Sequence, residues 1–242
     1  MKITEQDLLY LKNNQPELKF TPPNVIRGRL NFTMEYNASK FPGYKIFHFN
    51  ENLVESEYLI KDSYNIEINT DGDLYGLPVC FCVDKQINQQ YEDLKDSPNL
   101  KVNCINDLHL NQDADCTFCL GFPMDFIDRN LANLSLEDYL EDFVVPFLYY
   151  QTYIFRNRKE PWRSYGHGPL IGLGEYFYEI RNEKSKANES VKRITPTFRE
   201  RIKGVNIIYS ENCICGSGRK WRDCHFRAAM GLKFIRRILL RG

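Results

Sequence analysis

The spacing of hydrophobic and polar positions changes several times along the chain, and each change predicts an element. In residues 4–13 (TEQDLLYLKN), Leu8, Leu9 and Leu11 stand among polar neighbours behind Thr4, a capping-type residue. That pattern predicts a short amphipathic helix ending before Pro16. From Val25 to Tyr36, from Tyr44 to Phe49 and from Tyr58 to Ile68, apolar and polar residues alternate, as in antiparallel strands with one buried face. Asn69 to Gly76 is rich in turn residues, and the compact run LPVCFCV at 77–83 suits a buried strand after it. Lys85 to Asp107 is mostly polar and leads into a loop at 107–126. Residues 135–157 open with Ser135 and first-turn acids, then carry apolar residues at helical spacing around Pro146, which predicts a kinked helix or two helices.

Helix, strands and then helices give an α+β fold with a four-stranded antiparallel sheet. Three segments are expected: a domain over 1–180, a linker over 181–206, whose charged and apolar-poor part 181–201 also suits a solvated helical face, and a small C-terminal module over 207–242.

Composition narrows the function classes. With 43% hydrophobic and 14% aromatic residues the chain has ample material for a packed core. Its 32 basic and 32 acidic residues cancel, which speaks against nucleic acid or an anionic membrane as a general partner. No stretch reaches the roughly 18 apolar residues of a bilayer span, and MKITEQDLLYLKNN lacks the apolar core of an export signal, so a cytoplasmic location is expected. Eight cysteines in that setting read as metal ligands, a nucleophile or buried thiols rather than disulfides.

The C-terminal cysteines declare their role by spacing. Cys213 and Cys215 form a C-x-C pair, eight residues intervene, and Cys224 and His225 close the set. Two close pairs of thiolate and imidazole donors suit tetrahedral zinc. Gly216 and Gly218 permit the tight turns that bring the sulfurs together, and Ser217 can hydrogen-bond beside one of them. The segment resembles the SEC-C motif, a short zinc-binding tail with the pattern C-x-C-G-S-G, an aromatic residue, then C-C or C-H. Arg219, Lys220, Arg222, Arg227, Lys233, Arg236, Arg237 and Arg241 make this tail basic, as for docking an acidic protein surface or nucleic acid, or simply for a solvated helical face.

The second group lies at 107–123, DLHLNQDADCTFCLGFP. His109 precedes Cys119 by ten residues, Asn111 follows the histidine, and Leu120, Gly121 and Pro123 follow the cysteine; Tyr75, Pro78 and Val79 lie upstream. This resembles ubiquitin-conjugating (E2-like) enzymes, whose signature is His-Pro-Asn, a glycine-containing turn, then Cys-Leu, and in particular their bacterial relatives. Leu110 stands where the family has proline, Ala114 and Asp115 replace the glycine turn, and Cys116 adds a second thiol. The resemblance implies an E2-like fold over roughly 1–160, with Cys119 as the nucleophile, Asn111 stabilising an oxyanion or ordering the loop, and His109 supporting the loop. It also implies an E1-type activating enzyme as partner, a ubiquitin-like or other glycine-terminated protein as substrate, and a setting in bacterial anti-phage defence. In the segment Pro161–Ile180, similar to one that follows the cysteine in those proteins, His167 is the candidate to adjust the Cys119 pKa or assist amine attack.

Other readings of the same residues stay open. Cys104, Cys116 and Cys119 also suit buried thiols or a second metal cluster. An inactive E2-like adaptor would recruit a protein through the zinc tail. A cysteine protease would pair Cys119 with His109 or His167 but shows no third member at a recognisable spacing. Cys80, Cys82 and His48 sit in strand contexts and read as core or surface residues.

Overall fold

The computed structural model describes residues 1–36, 44–48, 56–72, 77–94, 97, 100, 108–111, 113, 115–120, 134–162, 165–166, 168–194, 196–215 and 217–240. The chain divides into two compact units, one built from Met1–Leu120 and Leu131–Arg163 and the other centred on Ser164–Gly242.

The first unit opens with α1 (Glu5–Asn14), whose Thr4 side chain accepts the Asp7 N–H while the Asp7 carboxylate accepts the Thr4 N–H, a reciprocal cap. The strands are β1 (Leu18–Thr21), β2 (Val25–Tyr36), β3 (Tyr44–Ile46), β4 (Leu59–Asn69) and β5 (Val79–Cys82). They form an antiparallel sheet in the order β1-β2-β4-β5, with β3 paired to β2. β2 runs against β4 from Val25↔Asn69 to Glu35↔Leu59. β1 covers Val25–Gly28 of β2 and β3 covers Met34–Tyr36. Among the described residues the sheet therefore has five strands rather than four. The unforeseen β1 is only LKFT, too short between Pro16 and Pro22 to show a period.

Gly28 has φ +143°, and a Cβ there would fall 2.1 Å from the Glu17 carbonyl oxygen, so only glycine lets β1 approach β2 at this point.

Even-numbered positions of the two long strands point into the core: Ile26, Leu30, Phe32 and Met34 of β2, with Ile60, Tyr64, Ile66 and Ile68 of β4. The helical run packed with them is continuous, from α3 (Leu136–Tyr139) through a π-helical turn (Leu140–Val144) into α4 (Val145–Asn157). The turn widens immediately before Pro146, which has no N–H to continue an ordinary ladder, and the Val145 N–H reaches back to the Leu140 carbonyl. A pair of helices was one expectation; the wide turn keeps them joined. Tyr139 donates to the Pro78 carbonyl, Tyr149 to the Tyr58 carbonyl, and Tyr64 meets Thr152 at 2.8 Å. α2 (Gln86–Leu94) lies beside α4 through Leu94, Tyr150 and Ile154.

The second unit is helical. α5 (Pro169–Ile180), α6 (Lys184–Arg193), α7 (Pro196–Gly204) and α8 (Phe226–Leu239) enclose Phe177, Trp221, Leu232 and Ile235, all fully buried. The expected linker over 181–206 is not one. Ala187, Val191, Ile194, Phe198 and Ile202 fall three or four residues apart, form one apolar stripe, and join this core. The division between units lies at 163/164, so α5 belongs with the C-terminal cysteines rather than with the sheet.

Candidate functional site

The C-terminal donors converge in a knuckle closed by backbone bonds. The Cys213 N–H donates to the Arg219 carbonyl and the Trp221 N–H to the Glu211 carbonyl, with Asn212 bridged to Lys220. Trp221 begins a single 3-10 turn and is wholly buried beneath it. His225 then caps α8, so its ring is placed by the helix start.

The ligand atoms of Cys213, Cys215, Cys224 and His225 all lie within 4.8 Å of one another. Cys215 Sγ and Cys224 Sγ are 3.5 Å apart, and His225 Nδ1 is 3.4 Å from Cys213 Sγ and 3.2 Å from Cys224 Sγ. Tetrahedral zinc with metal–sulfur bonds of about 2.3 Å sets its ligands about 3.8 Å apart, so small shifts bring this set to a metal-bound geometry. Ser217 Oγ lies 3.1 Å from Cys215 Sγ and 3.2 Å from Cys224 Sγ, as its position in the loop suggested. Burial pushes the Cys213 thiol up to about 12. At Cys215 burial acts upward too, but hydrogen bonding from Ser217 and the neighbouring sulfurs outweighs it and leaves the thiol below its ordinary value.

Gly166 contacts the outer edge of His225. A Cβ on Gly166 would fall 3.1 Å from His225 Cδ2 and 3.2 Å from Nε2, and the Gly166 N–H is held by Glu175 Oε2 at 2.8 Å. Sequence spacing gave no hint of this contact, because about sixty residues separate the two. His167, next to Gly166, lies outside the described residues, as do Cys104, Tyr75, Ala114, Gly121, Pro123 and Gly216.

In the first unit the cysteine segment is a narrow hairpin. Leu110 and Phe118 form an antiparallel bridge, the Cys119 N–H donates to the His109 carbonyl at 2.8 Å, and the Asn111 N–H to the Thr117 carbonyl at 2.8 Å. The hairpin is tied to β5, since the Phe118 N–H donates to the Cys80 carbonyl at 2.7 Å. It is also tied to α4: Gln151 Nε2 donates to the buried Leu108 carbonyl at 2.7 Å, and the His109 ring meets Tyr150 edge-on at 5.7 Å. The Asn111 amide donates to Thr117 Oγ1 at 3.0 Å, and Asp113 in turn accepts the Thr117 N–H and hydroxyl. The Asn111 side chain is thus bonded within the loop itself.

Cys116 and Cys119 are half-buried. Cys80 and Cys82 are buried, and burial pushes both thiols up, Cys82 to about 12. Among the described residues, the clustered metal donors are Cys213, Cys215, Cys224 and His225 alone; Cys116 and Cys119 belong to no such group. His48 sits 3.6 Å from Glu141, on the π-helical turn.

Residues 210–227 match the SEC-C motif, a span that contains all four donors. No curated protein and no solved structure matches the chain. Among the described residues no helix is long and apolar enough to cross a membrane.

Proposed function

We propose that the chain is an E2-like conjugating enzyme. It accepts a C-terminal glycine acyl group from an E1-type enzyme as a thioester on Cys119 and passes it to an amine. The observation that carries this reading is the state of Cys119: a half-buried thiol at the end of a hairpin fixed to β5 and α4, while Cys80 and Cys82 are sealed in the core. The order of elements supports it: a helix, an antiparallel sheet with the path β1-β2-β4-β5 and β3 beside β2, the cysteine hairpin, then helices, in keeping with the E2-like fold that the resemblance implies.

In the first step the Cys119 thiolate attacks the carbonyl of the E1-bound thioester. A new S–C bond forms, the bond to the E1 sulfur breaks, and that sulfur leaves as the thiolate. In the second step an amine attacks the same carbonyl, a C–N bond forms, and Cys119 leaves as thiolate while the amine proton passes to solvent. Asn111 and His109 act by holding the hairpin, through Thr117 and through Tyr150. Cys213, Cys215, Cys224 and His225 would hold one zinc ion, which would supply a structural cross-link and take no step of the transfer.

The defining experiment incubates the protein with an E1-type activating enzyme, ATP and a glycine-terminated substrate protein, and reads intact mass. A thiol-sensitive adduct that persists in Cys116→Ala and disappears in Cys119→Ala supports the reading. Failure of every donor to form one, with the partners shown to be active together otherwise, overturns it.

A second reading, an inactive E2-like adaptor that recruits a protein partner through its zinc module, is favoured by one observation: the span that matches a known family is the four-donor knuckle and not the cysteine hairpin. A defence function that survives Cys119→Ala but not Cys224→Ser would select it.

A further inference from the structure

The balanced total charge conceals a segregation. Residues 164–242 carry 16 Lys and Arg against 7 Asp and Glu, and residues 1–163 carry 16 against 25, so the C-terminal part is net +9 and the rest net −9 with His neutral. In the second unit the acids are largely engaged: Glu183 with Lys186, Glu189 with Arg193, Glu200 with Lys203 and Asp223 with Arg222. Arg219, Lys220, Arg227 and Arg237 are exposed and make no ion pair among the described residues.

Arg227 and Arg237 lie on α8, which also carries an aromatic and apolar stripe, and Arg219 and Lys220 lie in the knuckle that precedes it. Phe226, Met230, Lys233 and Arg237 recur at intervals of four, three and four, which places them on one helix face. The opposite face, Ala228, Leu232 and Ile235, is fully buried. Phe226 is 44% exposed and Met230 36%. Tyr209 completes the stripe: its ring lies 5.5 Å from that of Phe226, its hydroxyl 2.8 Å from Met230 Sδ, and Lys233 Nζ 3.6 Å over its ring.

We propose that this face binds single-stranded nucleic acid. An exposed ring offers a platform on which a base of any identity stacks, and exposed cations of the same helix and of the preceding knuckle meet the phosphates that recur along the strand. A membrane surface is the poorer fit, because the apolar face that would insert is already spent on the core. An acidic protein segment would satisfy the charge but leave the exposed Phe226 ring without a role.

The test is fluorescence anisotropy of the full-length zinc-loaded chain with a labelled 20-nucleotide oligo(U) or oligo(dT), titrated with salt. Binding is expected to weaken along a straight log–log salt line, Phe226→Ala to loosen it at least fivefold, and Arg227→Glu with Arg237→Glu to loosen it further and flatten the line. Zinc content and circular dichroism of each variant establish that it is folded. Three outcomes would overturn the proposal: no binding at low salt, tighter binding to a poly-glutamate peptide or a duplex than to the single strand, or Phe226→Ala without effect in a folded, zinc-replete protein.

Discussion

Gly231 of α8 and Gly174 of α5 meet backbone to backbone. A methyl group on Gly231 would fall 1.7 Å from the Gly174 carbonyl oxygen, and one on Gly174 would fall 2.3 Å from the carbonyl oxygen of Ala228. Main chain cannot rotate aside as a side chain can, so the helices must separate to admit either methyl. Gly231→Ala is expected to cost about 3 kcal/mol, the upper end for an overpacked core. Gly204→Ala, at the end of α7 with nothing within 4 Å, is expected to shift stability by under about 1 kcal/mol. Urea unfolding of the two variants checks the contrast; equal midpoints would mean the helices do not meet as described.

Metal removal should report at Trp221. That side chain is fully buried under the four-donor knuckle, and the other tryptophan of the chain, Trp162, is half-buried against Tyr149. Small modules of this kind draw most of their folding free energy from the metal. In a Trp162→Phe background a strong chelator should shift the emission to the red as Trp221 meets water, and one equivalent of zinc should restore it. Cys224→Ser should start in the shifted state. A chelator that strips one zinc per chain without moving the emission would show that the knuckle stands without its ion.

The four donors were legible in the sequence because C-x-C and C-H pairs carry their geometry within thirteen residues. α1 was legible for the same reason, since Thr4 and Asp7 form its cap within a single turn. β2 followed from its alternation, Val25 to Tyr36, over enough residues to show a period of two. The stripe Ala187, Val191, Ile194, Phe198 and Ile202 was present but diluted by Lys and Arg, so composition suggested a linker or a solvated helical face where spacing would have suggested helices buried on one side. The contacts of Gly166 with His225 and of Gly231 with Gly174 are tertiary, and a glycine carries no side-chain pattern to announce them. Gln151 left a fainter signal, as a lone amide inside the buried run LYYQTYI, where a polar group must find a partner.

Alkaline pH should destabilise the first unit through Tyr64. Its hydroxyl lies 2.8 Å from Thr152 Oγ1, and because Thr152 itself donates to Asp62, Tyr64 must be the donor. Burial pushes the phenol from its ordinary 10.0 up to about 12. Below pH 10 the phenol is protonated in both states and its full stabilisation is present. Between about 10 and 12 the unfolded chain loses the proton first, so stability falls as pH rises through that window. Cys82, raised from 9.0 to about 12 by burial, adds to the fall from a lower starting pH. Tyr64→Phe should cost about 1 kcal/mol at pH 7 yet flatten the decline above pH 10. Urea midpoints at pH 7, 9, 10 and 11 test this; an undiminished decline in the variant would exclude Tyr64 as its source.

Gln151 sets the stiffness of the hairpin that ends at Cys119. Its Nε2 donates to the Leu108 carbonyl at 2.7 Å, both groups are buried, and Leu108 directly precedes His109, whose carbonyl accepts the Cys119 N–H. Gln151→Leu keeps the volume but strands the Leu108 carbonyl without a partner, at about 1 to 3 kcal/mol. The strain should be relieved locally, by the hairpin lifting from α4. Iodoacetamide labelling followed by peptide mass spectrometry should therefore show Cys119 reacting several times faster in the variant, while buried Cys80, fixed in β5, stays protected. If Cys80 and Cys119 accelerate together, the substitution has loosened the whole unit. If neither changes, the hairpin is held by Phe118 and β5 alone and Gln151 is not its latch.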